Sequence, residues 1–288
     1  MNIFQGILLG VVQGLAEFLP VSSSGHLILL RGLLGINDAG GAYIMFDILL
    51  HIATLLVVFV VFWKDWITMI KNPFKSKQLL LLLIASLPAL LAVIEFDDVI
   101  DYLKTGRFLG FSFLITGILL CLSQKISNKN KDAVHSEPGT VNALAMGCAQ
   151  ILGLLPGISR SGSTIFGGIA SKLDRRAAAK FSFMMSAPAI LGSFVFELKN
   201  ALEENHLSQI AVLPTLCGMI AAAVCGFFAI RFMLNLISRI SLNGFAIYML
   251  ILGVLVVVLQ VTNIIDLNLP DLTGGVSYIR QIFRGILA

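Results

Sequence analysis

The segment "VVQGLAEFLPVSSSGHL", Val11 to Leu27, is apolar enough to enter a membrane, yet it carries Gln13, Glu17, three serines and His26. Gln13 and Glu17 are four residues apart, so a helix projects both from one face. A charged side chain at the centre of a span costs roughly 3 kcal/mol on insertion scales. A structural carboxylate paired in the interior would account for Glu17, but carboxylates kept at that cost usually have a functional partner. After Pro20 come Ser22, Ser23 and Ser24 beside Gly25 and His26. One serine is enough to make a turn and cap the following helix. Three in a row also offer amides and hydroxyls for an anion-binding concavity. A lone His26 would read as a satisfied interior histidine; beside these hydroxyls and Glu17 it becomes an acid, a base or a nucleophile.

The complementary charge lies in "LLPGISRSGSTIFGG", Leu154 to Gly168. Arg160 is flanked there by Ser159, Ser161, Gly162, Ser163 and Thr164, ahead of a helix expected to start near Ile165. A guanidinium, hydroxyls and a helix N-terminus together describe a phosphate cradle. An Arg160 that only faced Glu17 or a backbone carbonyl would leave the Ser/Gly pattern without a reason. Asp47 and His51, in "FDILLHIATLL", are again four residues apart. They read either as polar groups behind the site or as an internal pair. His135 and His206 fall in polar loops and read as solvated. A carboxylate able to hold a divalent ion, a hydroxyl, an imidazole and an arginine are parts for phosphoryl transfer. Buried among spans, they suit a lipid substrate whose tail stays in the bilayer.

The elements that must position these groups are membrane helices. Of 288 residues 57% are hydrophobic and 12% charged, with mean hydropathy +0.93. Soluble domains are about 25% charged, so the chain reads as a single integral membrane domain, 1–288. "MNIFQGILLG" lacks the basic region and cleavage site of a removable signal peptide. Cys121, Cys148, Cys217 and Cys225 lie in apolar runs and read as small buried hydrophobes. Six runs approach the length of about 20 residues needed to cross: Phe46–Trp63, Leu79–Ile94, Phe108–Leu122, Phe181–Phe196, Ile210–Ile230 and Phe245–Val261. Two more, Ile3–Leu34 and Val141–Ile169, are broken by Pro, Gly and Ser. Broken backbone survives at membrane depth only inside protein or beside a wet cavity, so both are expected to be re-entrant helical hairpins.

With six spans, the clusters Lys64–Lys77, Lys125–Lys131, Lys172–Lys180 and Arg231–Arg239 fall on one side, which the positive-inside rule makes cytoplasmic. Arg31, Lys104, Arg107, Lys199, Arg280 and Arg284 fall outside, with the acidic "EFDDVID" and "LEEN" loops and both termini. The halves echo each other. Gln13, "LP" and "SSSG" resemble Gln150, "LP" and "SRSG"; "FLITGILLCL" resembles "MLILGVLVVV". Three spans per half give an inverted-topology repeat, approximately 1–131 and 140–265, whose broken helices meet near the midplane.

At this level of detail "QGLAEFLPVSSSGH" and "PGISRSGST" resemble the two signature motifs of the undecaprenyl-diphosphate phosphatases of bacterial cell-wall synthesis. "FDILLHIATLL", "KFSFMMSAPAILG" and "RISLNGFAIYMLILG" extend the likeness along essentially the whole chain. The resemblance implies an all-α membrane enzyme of six transmembrane helices plus two re-entrant hairpins in the bacterial plasma membrane. It would remove the terminal phosphate of undecaprenyl diphosphate with Mg or Ca ions, recycling the lipid carrier and conferring bacitracin resistance. The acidic motif falls on Gln13 and Glu17, the serine–histidine motif on Ser22, Ser23 and His26, the arginine motif on Ser159, Arg160 and Thr164.

Some family members have glutamate where this chain has Gln13, so Gln13's carbonyl would ligate a hard cation more weakly, with Asp47 as a further candidate ligand. Glu17, Ser23, His26 and Arg160 are the expected catalytic groups, and Ser22, Ser24, Ser159, Ser161 and Thr164 the expected phosphate-binding ones. Ser23 attacking with His26 as base is favoured over direct attack by His26. Partners are the undecaprenyl diphosphate lipid and bacterial membrane lipids, with a homodimer admitted, no nucleic acid, and an active site facing outside. A lipid flippase or anion transporter is the alternative, since inverted repeats with broken helices and a midplane arginine serve transport too.

Overall fold

Pro, Gly and Ser decide where the apolar runs of this chain stop being helix, as its computed structural model shows for residues 1–36, 42–96, 106–130, 134–203, 211–262 and 264. The acidic loop at 97–101, Lys104, Lys131, Glu204, His206, residue 265, Arg280 and Arg284 lie outside the described residues. The first half contains α1 (Ile3–Phe18), α2 (Ser23–Leu33), α3 (Ala42–Val61), α4 (Trp63–Lys71), α5 (Lys77–Glu95) and α6 (Leu109–Lys129). The second contains α7 (Thr140–Leu152), α8 (Arg160–Ala170), α9 (Arg175–Glu203), α10 (Val212–Leu236) and α11 (Asn243–Val261). Among the described residues there is no sheet, only a single β-bridge of His135 with Leu173.

Five of these helices, α5, α6, α9, α10 and α11, are long and apolar enough to cross a membrane. A sixth span results if α3 and α4, bent by 79° between Val61 and Trp63, count as one. The chain is therefore a multi-pass membrane protein. The helices α1 and α7 have 16 and 13 residues, short of the roughly 20 a crossing requires.

The break after α1 begins at Leu19, whose extended backbone (φ −77°, ψ 144°) is what a following proline demands. Ser22 then turns the chain with φ +68°, a conformation usually left to glycine. It caps α2 by accepting the Gly25 N–H at 3.4 Å. In the second break Gly157 takes φ +88°. A side chain there would collide with Ser112 and Leu109 of α6, so glycine is required twice over. Ser159 caps α8 by accepting the Gly162 N–H at 3.0 Å. That cap starts the helix at Arg160 rather than near Ile165, and so puts Arg160 itself in the first turn.

The two breaks touch. A side chain at Gly25 would run into Gly157, and Ser161 Oγ donates to the Leu19 carbonyl at 3.2 Å. Thr116 of α6 holds the second break in place: its Oγ1 lies 3.0 Å from the Gly157 carbonyl and accepts the Ser159 N–H at 2.9 Å.

α1 lies on α10, α7 on α5 and α6 on α11, while α3 packs against both α10 and α9. Small residues set the first contact, since Gly6, Gly10 and Gly14 face the backbone carbonyls of Pro214, Gly218 and Ala222. Gly147 faces the Ala85 carbonyl in the α7–α5 contact, and Gly110, Gly117 and Gly253 serve the α6–α11 contact. Phe18 meets Phe183 of α9 edge-on at 5.4 Å in the largest apolar cluster. The cysteines are free but not buried as expected: Cys148 is exposed and the other three are half-buried. Cys148 shares an outward side of α7 with Val141 and Leu144, which are likewise exposed.

The α1–α10 contact gives a direct test. Gly10→Val places carbon against the Gly218 backbone and is expected to lower stability by about 1–3 kcal/mol, the usual penalty of overpacking. Gly244→Ala, with nothing near its added carbon, should leave thermal unfolding in detergent unchanged.

Candidate active site

Glu17 occupies the last turn of α1, where the helix breaks against the second broken segment. Its side chain is 4% exposed, and both oxygens are engaged. Arg160 Nη2 donates to Oε1 at 2.5 Å. Oε2 accepts Ser23 Oγ–H at 2.6 Å and the Gln13 amide at 3.1 Å. His51 Nε2 stands 3.6 Å from the same oxygen. One carboxylate is thus held by groups from α1, α2, α3 and α8. Two buried atoms among them have no hydrogen-bond partner among the described residues, Gln13 Oε1 and Arg160 Nη1. Buried polar atoms are nearly always satisfied, so both are open to a further polar partner.

The histidines have distinct settings. His26 Nδ1 lies 2.7 Å from the Ser22 carbonyl, which can only accept, so this nitrogen carries the proton. Nε2 then receives the Tyr248 O–H of α11 at 2.7 Å, and the two rings stack with centroids 5.8 Å apart. Phe113 covers another side of the imidazole at 5.4 Å. Ser23 therefore gives its proton to Glu17, while His26 is tied to Ser22 and Tyr248. His51 uses Nδ1–H on the Asp47 carbonyl at 2.7 Å and presents Nε2 to Glu17.

Asp47 does not join this cluster. Its Oδ1 pairs with Arg31 Nη1 at 2.5 Å, one turn from His51, so it supplies no ligand beside Glu17. The hydroxyls of the second segment mostly hold backbone. Ser159 Oγ caps α8 and contacts Ser161 Oγ at 3.2 Å. Thr164 Oγ1 bonds the Arg160 carbonyl at 2.8 Å and Ser182 Oγ of α9 at 2.6 Å. Ser22 holds His26, and Ser24 is half-buried beside it. Gln150, the counterpart of Gln13 in the second segment, is also buried with an unpartnered Oε1.

Residues 6–255 match the family described as bacitracin resistance protein BacA. The chain belongs to the BacA family. It is 41% identical to an undecaprenyl-diphosphatase of Carboxydothermus hydrogenoformans, across 90% of this chain and 98% of that one. An undecaprenyl-diphosphatase of Halothermothrix orenii is 42% identical over the same shares, and one of Treponema denticola 42% identical over 88% and 96%. The stretch shared with the BacA family contains all the groups around Glu17 and reaches Tyr248.

Three residues were not assigned a site role from the sequence. His51 was visible through its spacing from Asp47, but nothing said that it, and not Asp47, faces Glu17. Tyr248 lies 222 residues from His26, in an ordinary apolar run. Thr116 sits amid apolar residues of α6 with no motif around it.

Breaking one half of the Glu17–Arg160 pair should cost far more than replacing both. Glu17→Gln is expected to lower stability by about 3–5 kcal/mol, because the guanidinium is left buried and unanswered. The double variant Glu17→Gln/Arg160→Gln should recover most of the melting temperature in detergent while remaining inactive.

Proposed function

We infer that this chain is an undecaprenyl-diphosphate phosphatase of the bacterial plasma membrane. It hydrolyses the terminal phosphate of undecaprenyl diphosphate, yielding undecaprenyl phosphate and phosphate, and so recycles the cell-wall lipid carrier and confers bacitracin resistance. Membership of the BacA family and relatives named undecaprenyl-diphosphatase support the reading. The observation that carries it is Glu17, gripped at 2.5 Å by Arg160 and at 2.6 Å by the proton of Ser23.

That hydrogen bond favours Ser23 as nucleophile with Glu17, rather than His26, as its base. Ser23 Oγ bonds to the terminal phosphorus as its proton passes to Glu17 Oε2. The bond from phosphorus to the bridging oxygen breaks, and undecaprenyl phosphate departs with that proton. A phosphate monoester is already a good leaving group, so little further acid catalysis is needed. Water then attacks the phosphoserine, one of its protons reaching Ser23 Oγ through Glu17. Arg160 steadies Glu17 through Nη2 and offers Nη1 to the phosphoryl oxygens, where charge accumulates. Direct attack by His26 would require Tyr248 to release Nε2, which makes it the weaker reading.

Magnesium or calcium would be held by the unpartnered Gln13 Oε1 and by Glu17 Oε1, the carboxylate oxygen that does not take the Ser23 proton. No group of three His, Cys, Asp or Glu able to hold a metal occurs among the described residues, so water and diphosphate oxygens would complete the shell. Such an ion, when bound, spreads the negative charge of the diphosphate.

The arrangement proposed around the site is six spans and two re-entrant hairpins in an inverted repeat. Its support is the pairing of helices: α1 on α10 corresponds to α7 on α5, while α3–α9 and α6–α11 join each helix to its own counterpart. The site is proposed to face outside, because the basic helix ends lie at the other face.

Purified protein should release phosphate from a long-chain prenyl diphosphate, with loss of turnover on chelation and recovery with Mg or Ca. Ser23→Ala should lose nearly all turnover and still bind substrate, and trapped enzyme should carry acid-stable phosphoserine. An acid-labile phosphoenzyme that survives Ser23→Ala and vanishes in His26→Ala would transfer the role to His26. Binding without turnover under any metal would leave the transporter alternative. Arg160→Lys keeps the charge but loses the planar fork, so turnover should fall by about 10²-fold or more. Orientation has its own test: a cysteine at Lys75 should react with impermeant thiol reagent only from the cytoplasm.

A further inference from the structure

A cleft between α3 and α10 leads away from the site towards the basic end of the helices. Its middle is a cavity of about 340 Å³ walled by Leu56 and Val60 of α3 and by Val224, Phe227 and Phe228 of α10. Leu56, Val60, Val224 and Phe228 are each more than half exposed, so this wall is open along the side of the molecule that faces lipid. Immediately beyond lies a second cavity of about 320 Å³, lined by Val61, Phe62, Arg176, Lys180, Arg231 and Asn235. Val61 follows Val60, and Arg231 lies one turn after Phe227, so the two cavities share their walls.

The cations line the second cavity. Arg231 lies over the Phe227 ring at 5.2 Å and Lys180 over the Phe62 ring at 5.8 Å. Asp65 of α4 answers Lys180 at 2.7 Å, which leaves three cations to one carboxylate. Charges that only orient a membrane protein are scattered over its loops; these converge from α9 and α10 on one cavity. A free anion would use the basic cavity and have no use for the apolar groove. A lipid uses both. The basic end is set apart from the phosphatase site: His51 and Val61 are ten residues apart in α3, about 15 Å along the helix.

We propose that this cleft binds a phosphate-bearing lipid of the leaflet on the basic side, its headgroup among Arg176, Lys180 and Arg231 and a chain along Leu56, Val60 and Phe228. Basic pockets between helices at this depth recognise anionic headgroups, and each cation is worth roughly fivefold in affinity near the surface. The site is separate from that of the proposed reaction and holds its lipid without turning it over.

The two tryptophans of the chain, Trp63 and Trp66, both lie on α4 beside Asp65, so their fluorescence reports on the basic cavity. Detergent-solubilised protein should give a saturable response to dioctanoyl phosphatidylglycerol, and a much weaker one to dioctanoyl phosphatidylcholine and to inorganic phosphate. Arg176→Gln/Arg231→Gln should weaken the phosphatidylglycerol response about thirtyfold and leave prenyl diphosphate turnover unchanged. Val60→Phe, which fills the groove, should weaken lipid binding and not any response to phosphate. Equal responses to the two lipids, equal affinity for inorganic phosphate, or full binding by the double variant would each overturn the proposal. If the double variant also lost turnover, Arg176→Lys/Arg231→Lys decides: lipid binding must be kept there, and its loss would overturn the proposal too.

Discussion

A carboxylate in the interior of a membrane protein survives only if its charge is answered, and Arg160 answers Glu17. Much of the surrounding architecture follows from that contact. Glu17 ends α1 and Arg160 begins α8, so two helices must stop at the same place and meet there. Both stops expose backbone groups that lipid cannot satisfy. Ser22, Ser159 and Thr116 satisfy part of that demand with side-chain oxygens. The polar residues around the pair are therefore of two kinds: those that hold the carboxylate and those that hold the broken backbone carrying it.

The second kind of residue limits how freely the first can be arranged. Ser22 holds φ +68°, a strained conformation for a residue with a side chain, and such positions persist only where surrounding contacts over-determine them. Here the same residue caps α2 and fixes His26 through its carbonyl. His26 is locked further by Tyr248, from the far end of the chain. The close α1–α10 contact, made possible by Gly6, Gly10 and Gly14, sets the height at which α1 presents Gln13 and Glu17. The position of the carboxylate is thus set by packing that begins within one turn of it, at Gly14.

Much of this could be read from residue types. Spacing put Gln13 with Glu17, and the Pro-Ser-Gly breaks marked both interrupted segments. Apolar run length located the helices but not their ends, which lie up to seven residues beyond the runs, as where Phe108–Leu122 becomes Leu109–Lys129. What spacing could not resolve was which atoms of adjacent polar residues face one another. Asp47 and His51 occupy one helix face, yet Arg31 takes the first and Glu17 faces the second. Ser23 and His26 lie one turn apart on α2, yet the hydroxyl turns to Glu17 and the imidazole to Tyr248. The helix start at Arg160 was hidden because Ser, Arg and Gly look like loop, whereas one capping serine suffices to begin a helix among them.

Glu17 and its cation are 143 residues apart in the chain. At ribosomal rates of roughly 5–20 residues per second, Glu17 emerges on the order of ten seconds before Arg160 does. Through that interval the nascent first segment carries an acidic group with no countercharge of its own from the second half. A charge at that depth without its partner costs roughly 3 kcal/mol on insertion scales, so the first segment is fully stable at its final depth only once the second has been made.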